Sequence, residues 1–218
     1  MKNLLFISLL LIMSSGYSIA QFNKHDVKLG LQLHPYHNEH DTPIYQGAAF
    51  SHNKSHGIDI MPEIGWFISD KTELGIGAGF SWYKDSNSFD SLLERHGDGR
   101  SLNFTVYGRR YFSLNEKVAL FLSGSINYSR GISHSDIMYY SPVSEYRTDY
   151  NITGYAIGIA PGLSYFPVKK IQLSTSFGNL SFSRNNTHSK TDNTDSISRT
   201  YGLNVSLNSL SFGIHYFL

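Results

Sequence analysis

Between Leu74 and Trp82 the chain alternates without a slip: Leu74, Ile76, Ala78, Phe80 and Trp82 are apolar, and Gly75, Gly77, Gly79 and Ser81 between them are small. Successive side chains leave a strand on opposite sides, so a period of two marks a β-strand with two unlike faces. The same period carries Val27, Leu29, Leu31 and Leu33, and again Ile58, Ile60, Ile64 and Trp66. Five further segments show it, near residues 101–112, 118–129, 152–166, 171–182 and 200–218. The reading is all-β, with eight antiparallel strands.

The connections alternate in length. Stretches 35–56, 83–100, 130–150 and 183–199 are long, whereas 68–72, 113–117 and 167–170 are short and carry the polar tips Asp70-Lys71, Asn115-Glu116 and Lys169-Lys170 that tight turns favour. An up-and-down meander follows, with four long loops at one end and the short turns and both termini at the other. No linker divides residues 21–218, so one domain is expected.

Periodicity alone leaves open whether the apolar face points into a carrier's cavity or out into lipid. The composition of the other face decides. A soluble barrel shows water many Lys and Glu. Here that face is Gly75, Gly77, Gly79 and Ser81, then Ala119, Ser123, Ser125 and Asn127, then Gly154, Ala156, Gly158, Ala160 and Gly162. Small residues suit the crowded interior of an eight-stranded barrel, which side chains just fill. The bulky face then meets acyl chains, where a midplane Arg or Lys costs about 2 to 4 kcal/mol. Ile76, Phe80 and Leu122 are therefore expected outside; their placement in an enclosed cavity would make the chain a ligand carrier instead.

Charged residues make up only 16% of the chain, against roughly 25% in soluble domains. Lys and Arg number 18 against 17 Asp and Glu, a balance that argues against a nucleic-acid partner, and Cys is absent, which removes disulfides, thiolate metal sites and thiol nucleophiles. Lys2, the apolar run 4–13 broken by Ser8, and Ser18-Ile19-Ala20 compose a secretory signal peptide over residues 1–20, with cleavage after Ala20. That run is half the length of a spanning helix, about 20 residues. Trp66, Phe67, Tyr111, Phe112, Tyr165, Phe166, Tyr216 and Phe217 at the short-turn end, with Trp82, Tyr83, Tyr128, Tyr150 and Tyr201 at the other, are expected to form two interfacial girdles.

The segment Pro62-Glu63-Ile64-Gly65-Trp66-Phe67-Ile68-Ser69-Asp70-Lys71, followed by Leu74-Gly75-Ile76-Gly77, resembles the P-x-x-G-Y-F-x-x-D-x…L-G-x-G signature of small Gram-negative outer-membrane β-barrel domains. Arg110-Tyr111-Phe112 and Phe177-Gly178-Asn179-Leu180 are similar to two further recurrent pieces. The resemblance implies a transmembrane barrel like that of outer membrane protein X or the membrane domain of outer membrane protein A, with short periplasmic turns and extracellular loops. It carries no catalytic residue across. Leu210, Phe212, Ile214, Tyr216 and Leu218 share one phase and look like the family's C-terminal signal to the barrel assembly machinery. Leu203, Val205 and Leu207 run in the opposite phase, which predicts a bulge near Asn208-Ser209; Pro62 and Pro161 are expected to mark others.

Inside the barrel, Lys28, Glu63, Glu73, Arg109 and His215 fall toward the short-turn end of five strands and are expected to pair as one plug, with Arg110 the alternative to Arg109. A gated or proton-linked pore is the functional alternative. His34, His37, His40, His52 and His56 crowd the first long loop with Glu39 and Asp41, and His34-x-x-His37-x-x-His40 would suit zinc or copper, although the reading preferred is an exposed loop without scaffold and no metal is assigned. His134-Ser135-Asp136 and His188-Ser189 are the nearest strings to a His–Ser hydrolase pair, and both lie in loops. No catalytic, cofactor or metal site is assigned. The sequence is read as a monomeric outer-membrane protein touching lipid and, through polar loops, extracellular protein or carbohydrate. The alternatives are a small pore, an envelope-lipid hydrolase and a lipocalin-like carrier.

Overall fold

A computed structural model describes residues 23–45, 49–89, 93–140, 143–204 and 210–218. Strands β1 (Val27–Tyr45), β2 (Ala49–Ser69), β3 (Thr72–Phe89), β4 (Leu93–Ser113), β5 (Val118–Tyr140) and β6 (Val143–Val168) pair each with the next, all antiparallel. The lower part of β6 pairs with β7 (Ile171–Ser176) and its upper part with β8 (Asn179–Ser189). Strand β9 (Thr194–Asn204) continues from β8, and β10 (Ser211–Phe217) joins β7 to β1 and closes the ring. Strands β7 and β8 together serve as the seventh stave, and β9 and β10 as the eighth. The bulge expected near Asn208-Ser209 lies outside the described residues.

The two prolines behave differently. Pro62 sits opposite Leu31 without disturbing the count of residues on either side. Pro161, which has no N–H to give, lies where the neighbouring stave breaks: Ile159 pairs with Leu180 and Gly162 with Ser176, so one extra residue is taken up at the Phe177–Gly178 step. Gly178 absorbs it with φ 69°, a conformation glycine reaches without a Cβ clash.

The exterior is apolar. Ile76, Phe80 and Leu122 are 49%, 42% and 46% exposed on the outer wall, so the carrier reading fails. Alternation then divides each aromatic doublet at the short-turn end. Trp66, Phe112, Tyr165 and Tyr216 point outward, whereas Phe67, Tyr111, Phe166 and Phe217 are buried inside. At the other end Tyr83 turns inward over Gly99. The girdles are thus thinner than the aromatic count implied, because neighbouring residues on a strand cannot share a face.

The long connections are mostly strand. Residues 35–45 and 49–56 stay paired from Pro35↔Ile58 up to Tyr45↔Ala49, and β5 and β6 stay paired up to Tyr140↔Val143. Strands of 23 and 26 residues exceed the roughly 9 to 11 needed to cross a bilayer, so tall hairpins rise from the belt where the sequence had suggested loops. Above the membrane both faces meet water, so polar residues occupy both and the hydrophobic period that reveals a strand is lost.

Candidate functional site

The lumen holds one continuous polar cluster. Lys28 on β1, Glu63 on β2, Glu73 on β3, Arg109 on β4 and His215 on β10 all point inward and are buried, as expected, and Arg110 faces out to bond Thr72 Oγ1 at 2.7 Å. Alternation through Tyr107, Arg109 and Tyr111 settles that choice, since all three are buried on one face. Arg109 donates through both terminal nitrogens to Glu63, at 2.8 and 3.0 Å, the paired geometry in which a guanidinium binds a carboxylate most strongly. Lys28 Nζ lies 2.8 Å from Glu73 Oε1 and 3.5 Å from Glu63 Oε1, so two cations and two carboxylates balance within the wall.

Neutral groups complete the set. Tyr107 and Tyr111 donate their hydroxyls to the two oxygens of Glu73 at 2.8 and 2.6 Å, and Gln32 donates to Glu63 at 2.8 Å. Gln172 donates to Ser164 at 2.6 Å. The Arg109 guanidinium also stacks 4.3 Å from the Tyr107 ring centre. Gly65 makes room for this: a Cβ there would stand 2.1 Å from Glu73 Oε1. Of these neutral partners the sequence singled out only Tyr111, and that for the interfacial girdle, because a Tyr or Gln on the small-residue face is unremarkable until the register places it over a carboxylate.

Below the cluster, toward the short turns, Phe67, Tyr111, Phe121, Phe166 and Phe217 form a ring-packed floor with centroids 5.7–6.3 Å apart. Above it lies a well of about 270 Å³ lined by Gln32, His34, Asp59, Thr105, Asn127 and Ser174 among others. Desolvated charges persist only when paired, and this arrangement pairs them across four staves.

Ser174 Oγ sits 2.8 Å from His215 Nε2, and His215 Nδ1 comes within 3.2 Å of Glu63 Oε1, an order that imitates a nucleophile, a base and an orienting carboxylate. It is incomplete as a relay. Nδ1 is not aligned for a hydrogen bond, Glu63 is already held by Arg109 and Gln32, and the local backbone N–H groups are engaged in strand ladders instead of forming an oxyanion hole.

The histidines of the first hairpin do not converge. A spacing of three on a strand alternates faces, so His34 turns inward to Asp59 at 3.2 Å while His37 faces out, 3.7 Å from Glu39. His52 lies between Asp41 at 2.5 Å and Glu39 at 3.3 Å, and His56 packs edge-on against Trp82. Among the described residues no group of three or more His, Asp or Glu side chains is arranged to hold a metal ion. These residues are scaffolded by β1 and β2, contrary to the expected bare loop. His134 likewise points out to Asp149 at 2.7 Å while Ser135 is buried and receives Arg95 Nε at 3.0 Å, so base and hydroxyl sit on opposite faces. His188 pairs with Asp195 at 2.9 Å, and Ser189 instead accepts the Asp192 N–H.

A closed antiparallel ring with a greasy exterior and a charge-paired interior defines the class: the chain folds as a small β-barrel of the membrane-spanning kind. No protein-family model matches it, and no characterised protein matches it in sequence. In shape it is similar to the outer membrane protein OprG of Pseudomonas aeruginosa, at 10% identity over 91% of this chain and 98% of that one, with a TM-score of 0.49. It is similar also to neisserial surface protein A, at 14% identity over 88% and 96% with a TM-score of 0.43, and to the outer membrane protease OmpT of Escherichia coli, at 9% over 94% and 99% with a TM-score of 0.40.

Proposed function

We propose that this protein is exported with loss of residues 1–20 and acts as a monomeric, non-enzymatic anchor that holds four tall hairpins above the outer membrane, with the assembly machinery reading its C-terminal strand. The observation that carries this reading is the lumen: the Glu63–Arg109–Glu73–Lys28 cluster and the aromatic floor beneath it occupy the bore, and a filled bore conducts poorly. The hairpins, rich in Ser, Asn, Asp, Tyr and His, suit polar contacts with extracellular protein or carbohydrate.

Planar-bilayer recording of the refolded chain tests it. Defined openings in the parent protein would replace the anchor reading with a pore; silence in the parent and openings in Arg109→Ala would tie closure to the cluster. A serine-directed fluorophosphonate is expected to leave the protein unlabelled, and labelling lost in Ser174→Ala would instead make it a hydrolase.

A further inference from the structure

Three successive outward rows cross β4, β5, β6, β8 and β9 in register. The lowest is Gly108, Gly124, Ile159, Leu180 and Leu203; the next is Val106, Ile126, Ile157, Phe182 and Tyr201; the third is Phe104, Tyr128, Tyr155, Arg184 and Arg199. The first two rows enclose a shallow apolar groove of about 710 Å³ on the outer wall. Its floor is low where Gly108 and Gly124 face each other, and a Cβ at Gly124 would meet nothing within 4 Å.

The third row ends in two cations directly opposite each other, Arg184 and Arg199. Like charges in that position repel. Both are exposed and neither is in an ion pair among the described residues; of the two carboxylates of their own hairpin, Asp195 is taken by His188 at 2.9 Å and Asp192 lies in the turn. Beside them Tyr128 and Tyr155 pack with ring centres 5.2 Å apart, and one outward position further up Arg130 faces Thr153. The pattern recurs on several strands, although on β1 and β6 the corresponding charge is Glu39 and Asp149. On β3, β4, β5, β8 and β9 the first outward charge above the apolar belt is a cation: Lys84, Arg100, Arg130, Arg184 and Arg199.

We propose that this face binds a phosphate-bearing, multiply acylated lipid of the outer leaflet, with Arg184 and Arg199 clamping the phosphate and an acyl chain lying in the groove over Gly108 and Gly124. The inference rests on the outer-membrane reading above, which puts the tall hairpins and hence this cationic row on the outer side. A dianionic phosphate converts the Arg184–Arg199 repulsion into two charge-assisted contacts, and guanidinium groups match its oxygens in pairs. Rigid tyrosines at the same level suit the boundary between headgroup and chain.

The test uses the full mature chain in detergent micelles, with lipid A and its dephosphorylated form as probes and retention read by native mass spectrometry. The parent is expected to hold lipid A at least about tenfold more tightly than the dephosphorylated lipid, and the double substitution Arg184→Gln/Arg199→Gln to abolish that preference. Gly124→Leu, which fills the groove and leaves both arginines in place, is expected to weaken both lipids alike. Equal binding of the two lipids by the parent, or an unchanged preference in the double variant, overturns the site. Displacement of lipid A by excess inorganic phosphate would reduce it to an anion patch and overturn the lipid assignment. Insertion into bilayers and the heat-dependent shift in gel migration are measured on the same samples. A chain that fails them defeats the outer-membrane reading, whereas one that inserts and ignores the phosphate defeats only this inference.

Discussion

The polar cluster in the bore and the hairpins above it are built from the same residue types, yet the two regions obey different energetics. In the bore the Arg109 and Glu63 side chains are 6% and 1% exposed, and each of the four charges is ion-paired within the wall. On the hairpins the His52–Asp41 side chains are 44% and 68% exposed and their contact is one of many that water can replace. A buried pair is costly to break because its survivor is left unpaired in a medium that cannot solvate it, whereas an exposed pair contributes from nothing to about 1 kcal/mol. The difference assigns structural responsibility to the bore and leaves the hairpin surface free to vary.

The largest expected effect comes from breaking the buried side of that comparison. Glu63→Gln keeps the shape of the side chain and removes its charge, leaving Arg109 without its paired acceptor; the loss should be about 3–5 kcal/mol, read as a lowered urea midpoint in refolding titrations or a lower temperature for the gel-migration shift. Unchanged heat resistance would show that water, and not Arg109, satisfies the carboxylate. Gly65→Ala acts on the same cluster by volume alone. The added methyl group would stand 2.1 Å from Glu73 Oε1, so Glu73 must move away from Tyr107 and Tyr111, at a cost of about 1–3 kcal/mol in the same titration.

A smaller change sharpens the boundary between the two regions. Gly178 lies where the seventh stave breaks opposite Pro161, and its φ of 69° suits no β-carbon. Gly178→Ala should lower stability by about 1–2 kcal/mol while leaving in place the charged cluster beneath the well that Gly178 lines, so conductance and urea midpoint should separate. If the two move together, the break is part of the plug and not a joint between belt and hairpin.

Much of this could be read from the chain alone, and the reason is physical. Lipid on one side and a crowded bore on the other force the two faces of each stave apart, so Leu74 through Trp82 display the barrel wall in nine residues. The charged members of the cluster were visible because a Lys or Glu on a face of Gly and Ser is conspicuous. Their pairing was not: Lys28 reaches Glu73 across 45 positions, Arg109 reaches Glu63 across 46, and only the register supplies those distances. Tyr107, Gln172 and Ser174 were silent, and Tyr111 was read as a girdle residue, because neutral polar residues announce no pairing until a carboxylate or imidazole is set beside them. The hairpins were mistaken for loops for the opposite reason, since strands wet on both faces have no period to read.

The smallest effect belongs to the exposed side, and it is one of direction. His134 lies hydrogen-bonded to Asp149 across β5 and β6, 2.7 Å away, and that bond holds the Asp149 carboxyl below its usual range, with the charges of His134, Arg147 and Lys190 acting in the same sense. A carboxyl whose folded pKa is depressed contributes its stabilisation in full above the unfolded value, 3.8 for this group, and loses it as pH falls through the folded value. The contribution of this carboxyl should therefore be constant between neutrality and about 5 and should fall only in stronger acid. Asp149 lies at the hairpin surface with its side chain 41% exposed, so the barrel's unfolding midpoint should not register the change; the carboxyl chemical shift of Asp149 should, with a titration displaced to lower pH that returns to the ordinary range in His134→Ala. A shift that survives that substitution would assign the effect to Arg147 and Lys190, and the hairpin pair would then be a neighbourly contact with no hold on the carboxylate.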